Sequence, residues 1–318
     1  MLLWNDKPYH SLDYELRQIY GEKIYKIALD AGMTCPNRDG TCGTRGCIFC
    51  SAGGSGDFAV RKTSEMISIA AQLEQGKQYF HGKNIGCHFI AYFQAYTNTY
   101  APAARLEPLY REALDEPSVV GISIATRPDC LGDEVLSLLD KLNQEYPDKL
   151  IWIELGLQTI HETTAVLIRR GYPLTVFEQA VRQLRKLSIP IITHVIVGLP
   201  GEDKTMMLET CRFLANTGIS GIKLQLLHVL SNTDLVELYK KKTFDILCMI
   251  EYIDIIISCL EVLPPDVVIH RITGDGSRNL LLAPLWSLDK KRVLNTLHQE
   301  MRRRDTWQSK NYKPKQNT

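Results

Sequence analysis

The strongest constraint on the fold of this chain is an alternation. Six short apolar, β-branched runs occur in order: "KIYKIALD" (23–30), "CHFIAYF" (87–93), "VVGISIAT" (119–126), "LIWIELGL" (150–157), "IPIITHVIVG" (189–198) and "GIKLQLLHV" (221–229). Amphipathic stretches with helical periodicity follow them, near 64–77, 103–115, 133–144, 161–170, 174–187 and 204–216. Most of the runs are apolar on both faces, as strands are when helices cover them. Repeated strand–helix units imply a parallel sheet with right-handed crossovers. An open sheet and a barrel both satisfy this pattern, but an open sheet loads only the loops at one switch point. Here polar or unusual residues follow every strand: the Cys35–Cys50 segment, "QAYTN", "TRPD", "GLQT", "GLPGE" and "SNT". A barrel builds its working site from all such loops. The expected fold is therefore α/β, a partial TIM-like (β/α)6 barrel.

No Gly/Ser/Pro-rich linker interrupts the pattern before about residue 236. We therefore expect a core barrel over 1–235, with 1–20 as a lead-in, and a C-terminal α/β extension over 236–318. The extension comprises a helix (246–262), "LPPDVVIHRIT" and a basic helix (288–304). The last dozen residues are expected to be loosely ordered. The longest apolar run, 248–260, carries Glu251 and Asp254 and is too short for a bilayer, so no membrane partner is expected. The N-terminus has no signal-peptide pattern, which makes a cytoplasmic location the default. Thiols stay reduced there, and grouped cysteines then read as metal or redox sites. Net charge is only +1, yet from Asp289 onward nine Lys/Arg face three acids. Such a tail suits either a phosphate backbone or a solvated helix face.

Four of nine cysteines lie in "CPNRDGTCGTRGCIFC", residues 35–50. Structural zinc usually takes two C-x2-C-like pairs, and only Cys47 and Cys50 make one. A 4Fe–4S cluster on three thiolates is a further reading, because its fourth iron stays open to chelate a small molecule. The position directly after the first strand favours it, as does Phe49, an aromatic shield before the last cysteine. The other five cysteines are scattered singly and read as small core residues.

With these motifs the sequence resembles the radical SAM superfamily, in which S-adenosylmethionine binds the open iron of a 4Fe–4S cluster and is cleaved to a 5′-deoxyadenosyl radical. The usual C-x3-C-x2-C spacing is replaced by C-x11-C-x2-C. That is similar to the branch related to the Elongator catalytic subunit, and closer still to bacterial proteins sharing "LDAGMTCPNRDG", "GCIFC", "SGDFA", "YFQAYTNTYAP", "ATRPDCL", "ELGLQT", "GLPGE" and "HRITGD". The resemblance runs from about residue 10 to 308. It implies cluster ligation by Cys35, Cys47 and Cys50, with Cys42 a bystander. It implies S-adenosylmethionine as the second cofactor and an external flavodoxin- or ferredoxin-like electron donor. It also implies tRNA as partner, with the carbon-5 side chain of the wobble uridine converted from carboxymethylaminomethyl to aminomethyl. A small metabolite or peptide substrate, and a non-catalytic zinc- or cluster-stabilised scaffold, are the rival readings.

The resemblance also places the cofactor. The family's Gly-Gly-Glu-like turn after strand two is replaced by "FQAYTN", which leaves Gln94 and Tyr96 to meet the methionine end. Glu154 and Gln158 suit ribose hydroxyls, with pairing of Glu154 to Arg127 as the competing role. Gly198 and Gly201 allow close backbone approach. His194 is counted with the cofactor-binding residues, and His228 is its strand neighbour, with core packing the alternative for both. Arg127 suits a carboxylate or phosphate through its two-pronged donor geometry. In "HRITGDG" (270–276), His270 and Arg271 are expected to cap the mouth and meet substrate. Trp286 and Trp307 suit base stacking, with core packing the expected role of Trp286.

Overall fold

The computed structural model describes residues 2–54, 67–80, 86–274 and 276–314. The "SGDFA" motif at 55–59 and Asp275 lie outside the described residues. Helix α1 (Leu12–Tyr20) starts at Ser11, whose hydroxyl accepts from the Tyr14 amide, and ends on Gly21 in the left-handed conformation. Strand β1 (Tyr25–Leu29), helix α2 (Ile69–Gln78) and strand β2 (Phe89–Phe93) follow. Next come α3 (Ala103–Leu114), β3 (Val119–Thr126), α4 (Asp133–Glu145) and β4 (Leu150–Gln158). The short α5 (Glu162–Leu167) precedes α6 (Leu174–Lys186), β5 (Ile191–Val197), α7 (Lys204–Leu214) and β6 (Gly221–Leu226). The remaining elements are β7 (Val229–Leu230), α8 (Leu235–Lys240), α9 (Met249–Val262), β8 (Val268–Arg271), β9 (Leu281–Ala283) and α10 (Lys290–Arg303).

Strands β1 to β6 and then β8 form one sheet in that order, parallel throughout. The expected (β/α)6 core is thus present, and the extension supplies a seventh strand. The sheet is curled into a half-barrel. Lys26 on β1 and Lys223 on β6 both reach Glu154 on β4, and Lys223 also reaches Tyr92 on β2. Those contacts close across the sheet only if it wraps.

Alternate residues of each strand face the lumen, and they form layers. The floor is apolar: Ile90, Trp152 and Ile192 pack with Leu16 of α1, which plugs the N-terminal end. Each such buried side chain contributes about 1.5–3 kcal/mol relative to exposure. A charged middle layer holds Lys26, Glu154, His194 and Lys223. The mouth, at the C-terminal ends of the strands, carries the loops. Outside, the helices cover the apolar outer face and form the main core.

Several expected boundaries move. The run at 221–229 stops as a sheet strand at Leu226, and 229–230 pairs antiparallel with β9 instead. The helical stretch at 161–170 shortens to six residues. The end of the chain is tied down rather than loose as far as Tyr312. The Gln308 side chain donates to the carbonyls of Pro264 and Val267, and the Ser309 and Asn311 amides bond the last turn of α9. Trp286 packs on Tyr252 and donates its indole N–H to Leu247, the expected core role.

Candidate active site

The cysteine segment leaves β1 as a coil stitched by its own backbone. The Arg38 amide bonds Cys35 O, the Cys42 amide bonds Pro36 O, and the Cys50 amide bonds Cys47 O. Ile48, between the paired cysteines, has both backbone groups engaged. Its N–H bonds Ile168 O at 3.2 Å, and its carbonyl accepts from Leu235 at 2.8 Å. Cys35, Cys47 and Cys50 line one cavity at the barrel mouth, while exposed Cys42 faces a neighbouring groove beside Arg45 and Val166. Burial, then the neighbouring Cys50, pushes the Cys47 thiol up to about 12. Asn37, itself buried, donates from Nδ2 to Cys47 Sγ at 3.4 Å and to the Arg169 and Arg170 carbonyls.

Among the described residues no three His, Cys, Asp or Glu side chains are grouped closely enough to hold one metal ion. The three thiols instead ring a shared cavity, the arrangement a multi-atom cluster needs. A buried thiol such as Cys47, pushed up by burial, is what a cationic cluster relieves by taking it as thiolate. The residues present fit a 4Fe–4S group.

The same cavity is lined by Gln94, Tyr96, Arg127, Glu154, Gln158 and His194. Two of these, Tyr96 (φ 63°) and Gln158 (φ 64°), are non-glycine residues in the left-handed region. That conformation costs of order 1–3 kcal/mol and gathers at functional sites. Tyr96 is held by its O–H to Ala52 O (2.6 Å) and its N–H to Gly54 O (2.8 Å). Gly54, at φ 57°, is required there, since a Cβ would lie 2.2 Å from the Tyr96 ring.

Glu154 is buried beneath this cavity, and Arg127, the competing partner weighed against a ribose, is not among its partners. Oε1 accepts from Lys26 (2.7 Å) and Ser123 (2.7 Å); Oε2 accepts from Lys223 and faces His194 Nε2 (2.8 Å). Burial alone would raise its pKa, but Lys223 and then Lys26 hold it well below the usual carboxylate range. Burial likewise drives His194 down to about 4, with Lys223 adding to the effect. The ring is therefore neutral at pH 7, and its Nε2–H donates to Glu154. Arg127 instead takes Asp129 two-pronged, Nε to Oδ1 at 2.9 Å and Nη2 to Oδ2 at 2.6 Å, and gives Nη1 to Arg170 O.

His270 is not brought to this cavity. It lies at the floor, edge-on to Trp152 with ring centroids 5.1 Å apart, because strand alternation turns it inward at the level of Gly221. Its neighbour Arg271 does reach the mouth. Gly198 and Gly201 adopt positive φ in the turn after β5 but do not line the cysteine cavity. Sequence reasoning missed Lys26 and Lys223, although a lysine inside an otherwise apolar strand is itself a flag. It also missed Arg170 and Tyr172. Arg170 is fully buried and donates to the carbonyls of Leu157, Thr159 and Tyr172, bracing the loop that holds Asn37. The basic C-terminal region divides. Arg303 and Arg304 pair with Glu300 and Asp254, whereas α10 begins with Lys290 beside Arg271.

A half-barrel of parallel strands with three cysteines ringing a cavity at its mouth defines a class of cofactor-dependent enzyme folds. The sequence pattern of the Radical SAM superfamily matches residues 40–214, and that of the Radical_SAM C-terminal domain matches 219–303; the chain belongs to the radical SAM superfamily. The uncharacterized protein YtqA of Bacillus subtilis (strain 168) is 45% identical over 96% of this chain and 93% of its own. A tRNA uridine(34) acetyltransferase of Methanocaldococcus jannaschii is 25% identical over 79% of this chain and 52% of its own length. Among solved structures, the Methanocaldococcus infernus Elp3 with its N-terminus deleted superposes with a TM-score of 0.66, at 17% identity, over 90% of this chain and 64% of that one. Members of this superfamily bind a 4Fe–4S cluster and S-adenosylmethionine in general. Among the described residues no helix is long and apolar enough to cross a membrane.

Proposed function

We propose that the chain is a radical SAM enzyme that modifies the carbon-5 side chain of the tRNA wobble uridine, converting a carboxymethylaminomethyl group to aminomethyl. The observation that carries the radical chemistry is the cavity itself, where Cys35, Cys47 and Cys50 meet two strained polar residues, Tyr96 and Gln158. The RNA substrate rests on similarity to a tRNA uridine(34) acetyltransferase, of which this chain spans about half, and on the lysines and arginine that open α10. A 4Fe–4S cluster held by Cys35, Cys47 and Cys50, with S-adenosylmethionine, would supply one-electron oxidising chemistry at the methylene carbon next to the carboxylate. Loss of one hydrogen atom and one electron would turn the carbon–nitrogen bond into an iminium, and water would hydrolyse that to the aminomethyl group and a two-carbon oxo acid that keeps the second methylene hydrogen, which balances the change.

The chain's own residues have distinct parts in this reading. Cys35, Cys47 and Cys50 hold the cluster, with Asn37 donating to one sulfur and Phe49 shielding it. Gln94 and Tyr96 meet the methionine end, and Gln158 the ribose. Glu154, already saturated by four donors, fixes His194 in one tautomer with Nδ1 turned toward Gln225 at 3.3 Å. Arg127 is a positioning residue for the loop beneath the cysteines. A flavodoxin- or ferredoxin-like protein supplies the first electron.

The test uses anaerobically reconstituted protein. About four irons per chain and a reduced-cluster EPR signal that changes with S-adenosylmethionine are expected, followed by aminomethyluridine in tRNA carrying the carboxymethylaminomethyl group. Zinc without iron, or a cluster blind to S-adenosylmethionine, refutes the enzyme reading. A responsive cluster with unaltered tRNA transfers the chemistry to a small metabolite or peptide.

A further inference from the structure

In the reading above, S-adenosylmethionine and substrate fill the barrel mouth, so the starting electron needs another way to the cysteines. One wall of their cavity is thin, and it is the end of α5. Ile168 O takes the amide of Ile48, between the paired cysteines, and Cys47 Sγ lies 3.5 Å from the Arg169 carbonyl. On the outside of this turn runs a groove lined by Arg45, Val166 and Arg169, which shares Gly46 and Tyr172 with the cysteine cavity. We propose that this outer groove is the docking surface of the electron donor, a small acidic flavoprotein of the flavodoxin kind that rests its flavin edge on Val166 and Leu167. The inference rests on the radical chemistry proposed above and says where its electron enters.

Three observations carry it. The first is proximity. Asn37 Nδ2 donates to Cys47 Sγ at 3.4 Å and to Arg169 O at 2.7 Å. A donor seated in the groove therefore stands one turn of backbone away from a ligand sulfur, with a hydrogen-bonded bridge between them.

The second is an apolar pair. Val166 and Leu167, the last two residues of the short α5, are 75% and 43% exposed, whereas Ile168 beside them is fully buried. Large aliphatic side chains held out side by side suit the dry centre of an interface. The exposed dimethylbenzene edge of a flavin is apolar as well, and that match selects a flavin over an iron–sulfur donor.

The third is charge. Arg45 keeps 70% of its side chain exposed while it touches Asp234 at 2.9 Å, and Arg169 shares the same carboxylate. Arg169 and then Arg45 hold the Asp234 pKa below the usual range, so two cations and one anion leave the trio with one net positive charge. Helix α8, whose Leu235 amide bonds Ile48 O, ends at Lys240, and Lys241 and Lys242 follow; all three lysines are exposed. An acidic partner is steered toward such a rim, and salt weakens the steering. The transfer itself is of one electron: the reduced flavin is oxidised by one, the group held by the cysteines is reduced by one, and no covalent bond is made or broken.

The experiment uses the reconstituted holoenzyme without RNA. Cluster reduction is followed by stopped-flow absorbance and EPR with reduced flavodoxin, reduced 2Fe–2S ferredoxin or dithionite, and binding of oxidised flavodoxin is measured alongside. Wild type is expected to be reduced by flavodoxin at a rate that falls as salt is raised. Val166→Asp is expected to slow that reduction about tenfold and to weaken binding in proportion, since it sets a carboxylate against an acidic surface. Arg45→Gln is expected to act in the same direction at smaller size. Both should leave dithionite reduction, iron content and the S-adenosylmethionine-induced EPR change as in wild type. Should Arg45→Gln lose iron, Lys241→Gln/Lys242→Gln reads the charge effect instead. A wild-type rate in Val166→Asp overturns the site, as does slowing with dithionite as well as with flavodoxin. Reduction by ferredoxin alone overturns the flavin donor. A cluster that dithionite cannot reduce refutes the radical chemistry and the site with it, whereas unaltered tRNA bears only on the proposed substrate and leaves the site standing.

Discussion

Glu154→Gln probes the charged middle layer most directly. Glu154 is fully buried and neutralises two lysines, one of which, Lys223, is only 4% exposed. Removing one partner of a buried ion pair costs about 3–5 kcal/mol, because the other charge is left uncompensated. At the low end of the range for larger chains, about 2 °C per kcal/mol, the expected fall in Tm is about 6–10 °C. The loss should also depend on pH in a definite sense. Burial and the neighbouring cations already hold the Lys223 pKa well below that of a free lysine, and Glu154 is the group that raises it. In the variant, folded Lys223 therefore sheds its proton at lower pH than the unfolded chain does. The unfolded state binds more protons between that lowered pKa and about 10.4, so stability of the variant should climb as pH rises through this window. The double variant Glu154→Gln/Lys223→Met should lose much less than the sum of the single losses, since the stranded ammonium is gone. Anaerobic scanning calorimetry from pH 7 to 10 reads all three. A Tm for Glu154→Gln within about 1 °C of wild type and flat in pH would refute the view that Glu154 compensates buried charge.

His194, held near pKa 4 by burial, binds a proton later than in the unfolded chain as pH falls. Stability should therefore drop by about 3 kcal/mol between pH 6.5 and 4, and His194→Gln should remove that slope in urea titrations. Asn37→Leu deletes the N–H donor to Cys47 Sγ, and if Cys47 holds the cluster as proposed its reduced form should become harder to form; a midpoint potential equal to wild type in an EPR redox titration would count against this. Gly54→Ala should displace the Tyr96 ring and weaken S-adenosylmethionine binding several-fold with iron content unchanged. Cys42→Ala should keep full iron, whereas alanine at Cys35, Cys47 or Cys50 should abolish it, by iron assay after reconstitution.

The core of the fold was legible because its periodicities are local. Both faces of "VVGISIAT" and "IPIITHVIVG" are apolar, and only a doubly covered parallel strand satisfies that. The seventh strand was not legible: "VIHR" is four residues long, comes soon after two prolines, and joins the sheet only because β6 presents an open edge. Cys35, Cys47, Cys50, Gln94, Tyr96 and Gln158 stood out because each sits at or beyond a strand end, and Glu154 and His194 because each is a polar residue inside an apolar strand; all of them line one cavity. His270 was misplaced because the β6–β8 register slips between Ile222 and Lys223, so that His270 lies low beside Gly221 and Trp152 while Arg271 comes level with Lys223. Arg127 was read for its fork without weighing Asp129 two positions on, which satisfies that fork locally. Lys26 and Lys223 were lost inside their strands because their counter-ion lies far away in sequence.

Ile48 carries a consequence for modularity. One residue, between two cysteines, spends its N–H on the loop after β4 and its carbonyl on the first turn of α8. The two family matches meet between residues 214 and 219, yet this backbone seam sews the second to the cysteine loop of the first. The halves are therefore poor currency for domain exchange. Grafting a foreign C-terminal half would unpick the Ile48 seam and withdraw β8 from the sheet edge, so a recombinant that looked intact by its helices would be expected to lose its iron first.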